Sequence, residues 1–393
     1  MTKEQSFFIQ ILSDHLNGRE TGCVDNMDWN VIHSYALTHQ VSGIVFEQAR
    51  NCMPIEMQLT FRKEAMATLF YAAKRDNDFD SVKKALSEKN ISYFVVKGPI
   101  IAELYPSPKL RSMGDIDLVI HREDRDSCND ILIQNGYECR SKQDDREWQY
   151  YKNGIELELH DRLVYEENVN EEGHDLFFNN CWRYVENHEI NWSFHLLFLI
   201  FHLRKHFMNS GVGFRQFMDL AVVVQKIDID WNWLKEHLKS TGMYRFAKKC
   251  FGFIERWFGL QTPMAVKIDE VFFAEATQII ISNGVFGFDN KDNIIGASVN
   301  EMRNTRFPRL ALICQYMKEF FPSWKVLSRT NIYGYLKHSK LLLPIAWIHR
   351  WWRQIKRHVF LKERVTIRKP IASMQEYDSR MIWMRRWGLL NKK

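Results

Sequence analysis

Residues 94–120 read FVVKGPIIAELYPSPKLRSMGDIDLVI. An apolar run stops at Lys97-Gly98, and a second begins with Asp115-Ile116-Asp117. In a strand successive side chains alternate faces, so Asp115 and Asp117 share one face while Ile116 and Leu118 take the other. Two carboxylates side by side repel unless a cation, a proton or an arginine compensates them, and the pair therefore points to a divalent-cation site. A second acidic stretch lies about forty residues on. WQYYKNGIELELH, residues 148–160, is a hairpin pattern turning at Asn153-Gly154, and its Glu156, Glu158 and His160 share one face. If that strand lies beside Asp115-Ile116-Asp117, a three-carboxylate cluster forms. Its all-oxygen ligands suit two Mg2+ ions, with Mn2+ the alternative, bridging a nucleoside triphosphate. The turn fits as well. A glycine opening a helix lets backbone N–H groups approach phosphate, and Lys97 and Arg111 supply compensating charge.

Working outward, residues 1–88 carry helical periodicity, with Asp28 placed to cap the helix of Trp29 and Ile32 and an unbroken helical run from Ile55 to Glu88. Residues 89–165 change to strand periodicity and predict a small mixed sheet. Helical spacing returns from His174 within a region set at 166–300, which includes FHLLFLIFHLRKHF at 194–207. The last region, 301–393, is basic, rich in tryptophan and helical. The fold class expected is α+β, a small mixed sheet embedded in a largely helical protein.

The chain has 393 residues, 46% hydrophobic and 14% aromatic, enough for two or three folded domains. Its net charge of +6 hides an asymmetry: residues 301–393 hold 21 Lys+Arg against 5 Asp+Glu. Seven scattered cysteines without a Cys-x-x-Cys pair argue for a reducing compartment and against a disulfide framework or a zinc knuckle. No export signal is visible, and the longest apolar run, Leu341 to Ile348, is short and contains Pro344. The expected location is cytoplasmic or peripheral on the inner membrane face.

Taken together, Val96-Lys97-Gly98, Tyr105-Pro106, Arg111, Asp115-Ile116-Asp117-Leu118-Val119 and Glu158-Leu159-His160 resemble the uncharacterised nucleotidyltransferase family of the DNA-polymerase-β-like superfamily. His202-x-x-Lys205-His206 and Arg215-x-x-x-Asp219 resemble its helical half. The superfamily's usual Gly-Ser is replaced here by Lys97-Gly98 and Pro99. The resemblance implies a polymerase-β-like core and Mg2+-dependent transfer of a nucleoside monophosphate from a triphosphate to an unidentified acceptor. It implies that Asp115, Asp117 and Glu158 are the metal-holding catalytic carboxylates, favouring Glu158 over Glu156. It also implies that Lys97, Gly98, Arg111, His160, His202, Lys205 and His206 line the nucleotide cleft.

Two other classes compete. An Asp-x-Asp pair also holds the metal of glycosyltransferases, although those folds place about a hundred residues of alternating strands and helices before the motif, where this chain is helical. A non-catalytic scaffold would keep the fold and use its basic C-terminal region on an anionic membrane surface. That region's Trp347, Trp351, Trp352, Arg353, Lys356, Arg357, Trp383, Arg385, Arg386 and Trp387 read as packed core, as a membrane anchor or as a polyanion patch. No nucleic-acid-binding motif accompanies the charge, and nucleic acid is not indicated as a partner. His195, His202 and His206 lie near helical spacing, a pattern that also suits a zinc site, but no fourth ligand accompanies them.

Overall fold

The computed structural model describes residues 1–142, 147–164, 170–209, 211–285, 321–327, 331–337, 339–359 and 374–389. The chain falls into two compact units, one of residues 1–207, 211–287 and 385–393 and one of 208–210 and 288–384. The sequence-based boundaries at 165/166 and 300/301 lie outside the described residues.

In the first unit three helices, α1 (Lys3–Asn17), α2 (Trp29–Thr38) and α3 (Ser42–Ala49), precede α4, Ile55–Glu88. Nothing in α4 breaks it: the stretch has neither Gly nor Pro. Asp28 caps α2 as expected, accepting from the Asn30 and Val31 amides. Cys23 and Cys52 form a disulfide, which runs against the expectation of a reducing compartment drawn from the scattered cysteines. The fold brings the loop after α1 onto the turn before α4, a proximity that two cysteines 29 residues apart do not advertise.

The sheet comprises β1 (Tyr93–Val96), β2 (Asp115–Ile120), β3 (Glu138–Ser141), β4 (Trp148–Lys152) and β5 (Ile155–His160) in the order β1-β2-β5-β4-β3. A short helix α5 (Gly98–Ala102) follows β1, and α6 (Arg125–Gln134) follows β2. Only β2 and β5 pair in parallel; the other pairs are antiparallel. At the β4–β5 turn, Asn153 and Gly154 have φ of 53° and 92°, both in the left-handed region that a tight hairpin requires. Ile116, Leu118, Leu157 and Leu159 point to one side, where they join Phe79, Val82 and Leu86 of α4 and Ile131 and Leu132 of α6 in a buried core. Alternation sends the acidic residues of both strands to the opposite side.

Beyond the sheet the chain forms α7 (Glu171–His174), a two-stranded hairpin of β6 (Val185–Glu186) and β7 (Glu189–Ile190), and then α8 (Trp192–Asn209). This hairpin was not anticipated, since the helical period was placed from His174 onward. Its turn residues Asn187 and His188 have φ of 49° and 69°. His188 donates from Nδ1 to the Tyr93 carbonyl at 2.8 Å and stacks on the Tyr93 ring. Four more helices follow: α9 (Phe214–Lys226), α10 (Trp231–Ser240), α11 (Tyr244–Phe258) and α12 (Glu270–Asn283). Trp387 is fully buried against Phe207, Phe253 and Phe272, with ring centroids 4.6, 4.6 and 5.5 Å away.

His39 holds this helical half together. Its Nδ1 accepts from the Phe214 amide at 3.0 Å and its Nε2 donates to the Ile281 carbonyl at 3.1 Å. Burial lowers its pKa to about 4, against a carbonyl contact that raises it. A histidine with a folded pKa below its unfolded value contributes stability above the unfolded pKa, and that contribution fades as pH falls toward the folded one. Urea unfolding at pH 7 and pH 4 should therefore show a loss, and His39→Gln should shrink the pH-dependent part by on the order of 2–3 kcal/mol. An unchanged pH slope in His39→Gln would count against this assignment.

In the second unit, the helix Leu343–Val359 packs Trp347 and Trp351 on Phe321, with ring centroids 5.1 and 5.0 Å away. Trp347 Nε1 also donates to the Pro322 carbonyl. The packed-core reading thus holds for these two tryptophans, whereas Trp352 is 64% exposed. The side chains of Lys356 and Arg357 lie outside the described residues. No helix among the described residues is long and apolar enough to cross a membrane.

Candidate active site

Parallel pairing of β2 with β5 sets the register: Asp115 lies opposite Glu156, Asp117 opposite Glu158, and Val119 opposite His160. The acidic face turns toward α8, because the Lys97 amide donates to His195 Nε2 of that helix at 3.0 Å. Asp117 is the centre of the cluster and is almost fully buried. Its Oδ1 receives the Lys97 ammonium at 2.6 Å and His160 Nε2 at 3.1 Å. His160 Nε2 also lies 3.4 Å from Glu158 Oε2, and Gln149 donates to the other Glu158 oxygen at 3.3 Å.

The charges explain one another. Burial alone would push the Asp117 carboxyl up, but the Lys97 ammonium and His160 outweigh it and hold it well below the usual carboxylate range. Burial pushes His160 down, yet its hydrogen bonds to Asp117 and Glu158 prevail and raise it to about 9. Glu158 is lowered in spite of burial, chiefly by His160. Asp115 is raised, first by burial and then by the neighbouring Asp117 charge. Lys97 is raised despite burial, with Asp117 the largest opposing cause.

Asp117, Glu158 and His160 each have a candidate ligand atom within 4.8 Å of the others, close enough to share one divalent cation. Asp117 Oδ2 is buried without a hydrogen-bond partner, an unused lone pair of the kind a metal takes up. The donor set therefore fits a divalent cation. Glu158, and not Glu156, belongs to this group; Asp115 lies outside its mutual reach among the described residues.

Lys97 itself has φ 60° and ψ −121°, a conformation costly for any residue with a Cβ. The His195 acceptor holds that turn from 98 positions away. His195 is fully buried, and burial followed by the Lys97 charge lowers its pKa to about 3, so it is neutral and accepts through Nε2. This positioning role was missed; its one signal was a histidine on an otherwise apolar helix face. His202 and His206 lie further along the same helix with ring centroids 4.5 Å apart. Burial and the Lys97 charge depress both, His206 to about 3. Lys205 is exposed.

Arg111 is turned to Asp219, donating from Nε and Nη2 at 2.8 and 2.7 Å, and the Tyr105 hydroxyl donates to the same carboxylate at 2.8 Å. Its remaining Nη1 is buried without a partner, and it lies 3.5 Å from where a Cβ on Gly98 would sit. Arg215 precedes Asp219 by four residues on α9, and its Nη1 donates to Gln40 Oε1 and to the Ser112 carbonyl.

The sequence model of a family described as an uncharacterised nucleotidyltransferase matches residues 25–259, a span that takes in the whole sheet, the acidic cluster and α8 to α11. No curated protein and no solved structure matches the chain.

Proposed function

The chain belongs to the uncharacterised nucleotidyltransferase family, whose match spans more than half its length, and from that premise we propose that it moves a nucleoside monophosphate from a nucleoside triphosphate to an acceptor oxygen. The observation that carries this reading is the β2–β5 register, which puts Asp117 beside Glu158 and His160 under the Lys97-Gly98 turn. Asp117 and Glu158, with Asp115 farther along the same face of β2, would hold Mg2+, or Mn2+, which when bound would offset triphosphate charge and ease displacement at phosphorus.

In the proposed reaction the acceptor oxygen bonds to the α-phosphorus, the bond to pyrophosphate breaks, and the acceptor proton passes to Glu158. The Lys97 ammonium, which rests 2.6 Å from Asp117 Oδ1, would serve the phosphates beside the Gly98 turn. In this reading His160 of β5 and His202, Lys205 and His206 of α8 would bind the nucleotide. Arg111 contributes through Asp219, fixing the chain between the turn and β2. The polymerase-β-like superfamily shares this logic of carboxylates on adjacent strands.

Incubating the protein with each labelled nucleoside triphosphate, Mg2+ or Mn2+ and cell extract tests the proposal. Transfer of label to an acceptor with release of pyrophosphate is the expected result; absence of both triphosphate binding and label transfer with either ion would refute it.

His195 gives a sharper prediction. His195→Phe leaves the Lys97 amide without its acceptor and should lower transfer by roughly tenfold to a hundredfold. His195→Gln, whose carbonyl can take the Nε2 position, should restore most of it. If both variants keep full activity, or both lose it equally at unchanged thermal midpoint, the acceptor role is wrong.

A further inference from the structure

We propose that the helix Leu343–Val359 is a peripheral docking face for an anionic lipid surface. Leu341, Ile345, Ile348 and Trp352 recur at spacings of four, three and four, which places them along one side of the helix and the turn that enters it. These four side chains are between 56% and 89% exposed. Single exposed apolar residues are ordinary, but a continuous row of this kind marks an interaction site. The other side of the helix is occupied: Ala346 is fully buried, and Trp347 and Trp351 pack on Phe321. Among the described residues, the helix is therefore fixed to its own unit by one face and leaves the other exposed.

Charge selects the partner. The helix sequence LPIAWIHRWWRQIKRHV contains Arg350, Arg353, Lys356 and Arg357 and no acidic residue. It belongs to the region 301–393, which carries a net charge of +16. An apolar row on a helix with only basic charge suits the boundary between headgroups and acyl chains of an anionic bilayer. Trp352 is the side chain best suited to that depth, since its ring is amphipathic. Two basic helices of a homodimer would bring like charges together, and a nucleic acid would have no use for the apolar row. With no crossing helix among the described residues, the contact is one of lying on the surface.

The test is vesicle flotation of the full chain without nucleotide. Vesicles of phosphatidylcholine with roughly one-third phosphatidylglycerol are compared with phosphatidylcholine alone, at about 0.1 M and about 0.5 M salt. The expected result is flotation with the anionic vesicles only, weakened by salt. The triple variant Ile345→Ser, Ile348→Ser, Trp352→Ser changes exposed positions only and should keep the thermal midpoint while partitioning at least about tenfold less. The proposal is overturned if the wild-type chain does not float, or if the folded triple variant floats equally well. It is also overturned if sedimentation shows a dimer that the triple variant abolishes without any vesicle binding.

Discussion

Asp117→Asn should lower nucleotide transfer by on the order of a thousandfold or more, the largest effect expected of any single substitution in this chain. The reason lies in what surrounds the carboxylate. Among the described residues it alone touches both Lys97 and His160, and its Oδ2 has no hydrogen-bond partner. The amide keeps the shape but removes the charge that a divalent cation needs. It also leaves the Lys97 ammonium largely buried with less to balance it, so in metal-free buffer the variant should be less stable by a few kcal/mol. Adding Lys97→Met removes the uncompensated cation and should recover the thermal midpoint without recovering transfer. Asp117→Asn with transfer within tenfold of wild type would remove Asp117 from the chemistry, and a double variant as unstable as the single one would remove the charge argument.

The second large effect is on stability. Asp219→Ala should cost about 3–5 kcal/mol, measured by urea unfolding, because it strips the partner from a buried cation. Arg111 is 5% exposed and makes two charge-assisted bonds to this one carboxylate, while Tyr105 spends its hydroxyl there too. Arg215 lies close enough for its pKa to be lowered to about 10 by burial and by the Arg111 charge, so loss of Asp219 leaves two guanidiniums without the carboxylate that acts on both. Replacing Arg111 and Asp219 together by apolar residues of similar size should cost less than Asp219→Ala alone. A cost for Asp219→Ala below about 1 kcal/mol would show that the pair is incidental.

Much of the architecture was readable because it is local. Alternation in DIDLVI and IELELH fixed which side chains face the core, Asn153-Gly154 fixed the hairpin, and the absence of breakers fixed α4 between Ile55 and Glu88. The acidic cluster was readable only on the condition that β5 lies beside β2, which the structure meets through a parallel pairing. What could not be read depends on partners far apart in the chain. Lys97 was assigned to phosphate from its turn, yet its ammonium rests on Asp117; His195 holds the Lys97 amide across 98 positions; Arg111 finds Asp219 across 108. Periodicity says which face a side chain takes, but which other element supplies its partner is decided by packing. The 185–190 hairpin escaped for another reason: two residues per strand are too few for alternation to show.

That hairpin has a consequence for solubility. A sheet with two free edges invites strands from other molecules, and the two edges here are guarded differently. On the β3 side the exposed Glu138 and Arg140 place charge on the edge strand. The β1 strand, YFVV, has no charge to offer, and the His188 turn closes over it by binding the Tyr93 carbonyl. A chain cut short before residue 185 would keep Asp115, Asp117 and Glu158 and still bare an apolar edge, so trimming the protein to its sheet alone should leave it prone to edge-to-edge stacking.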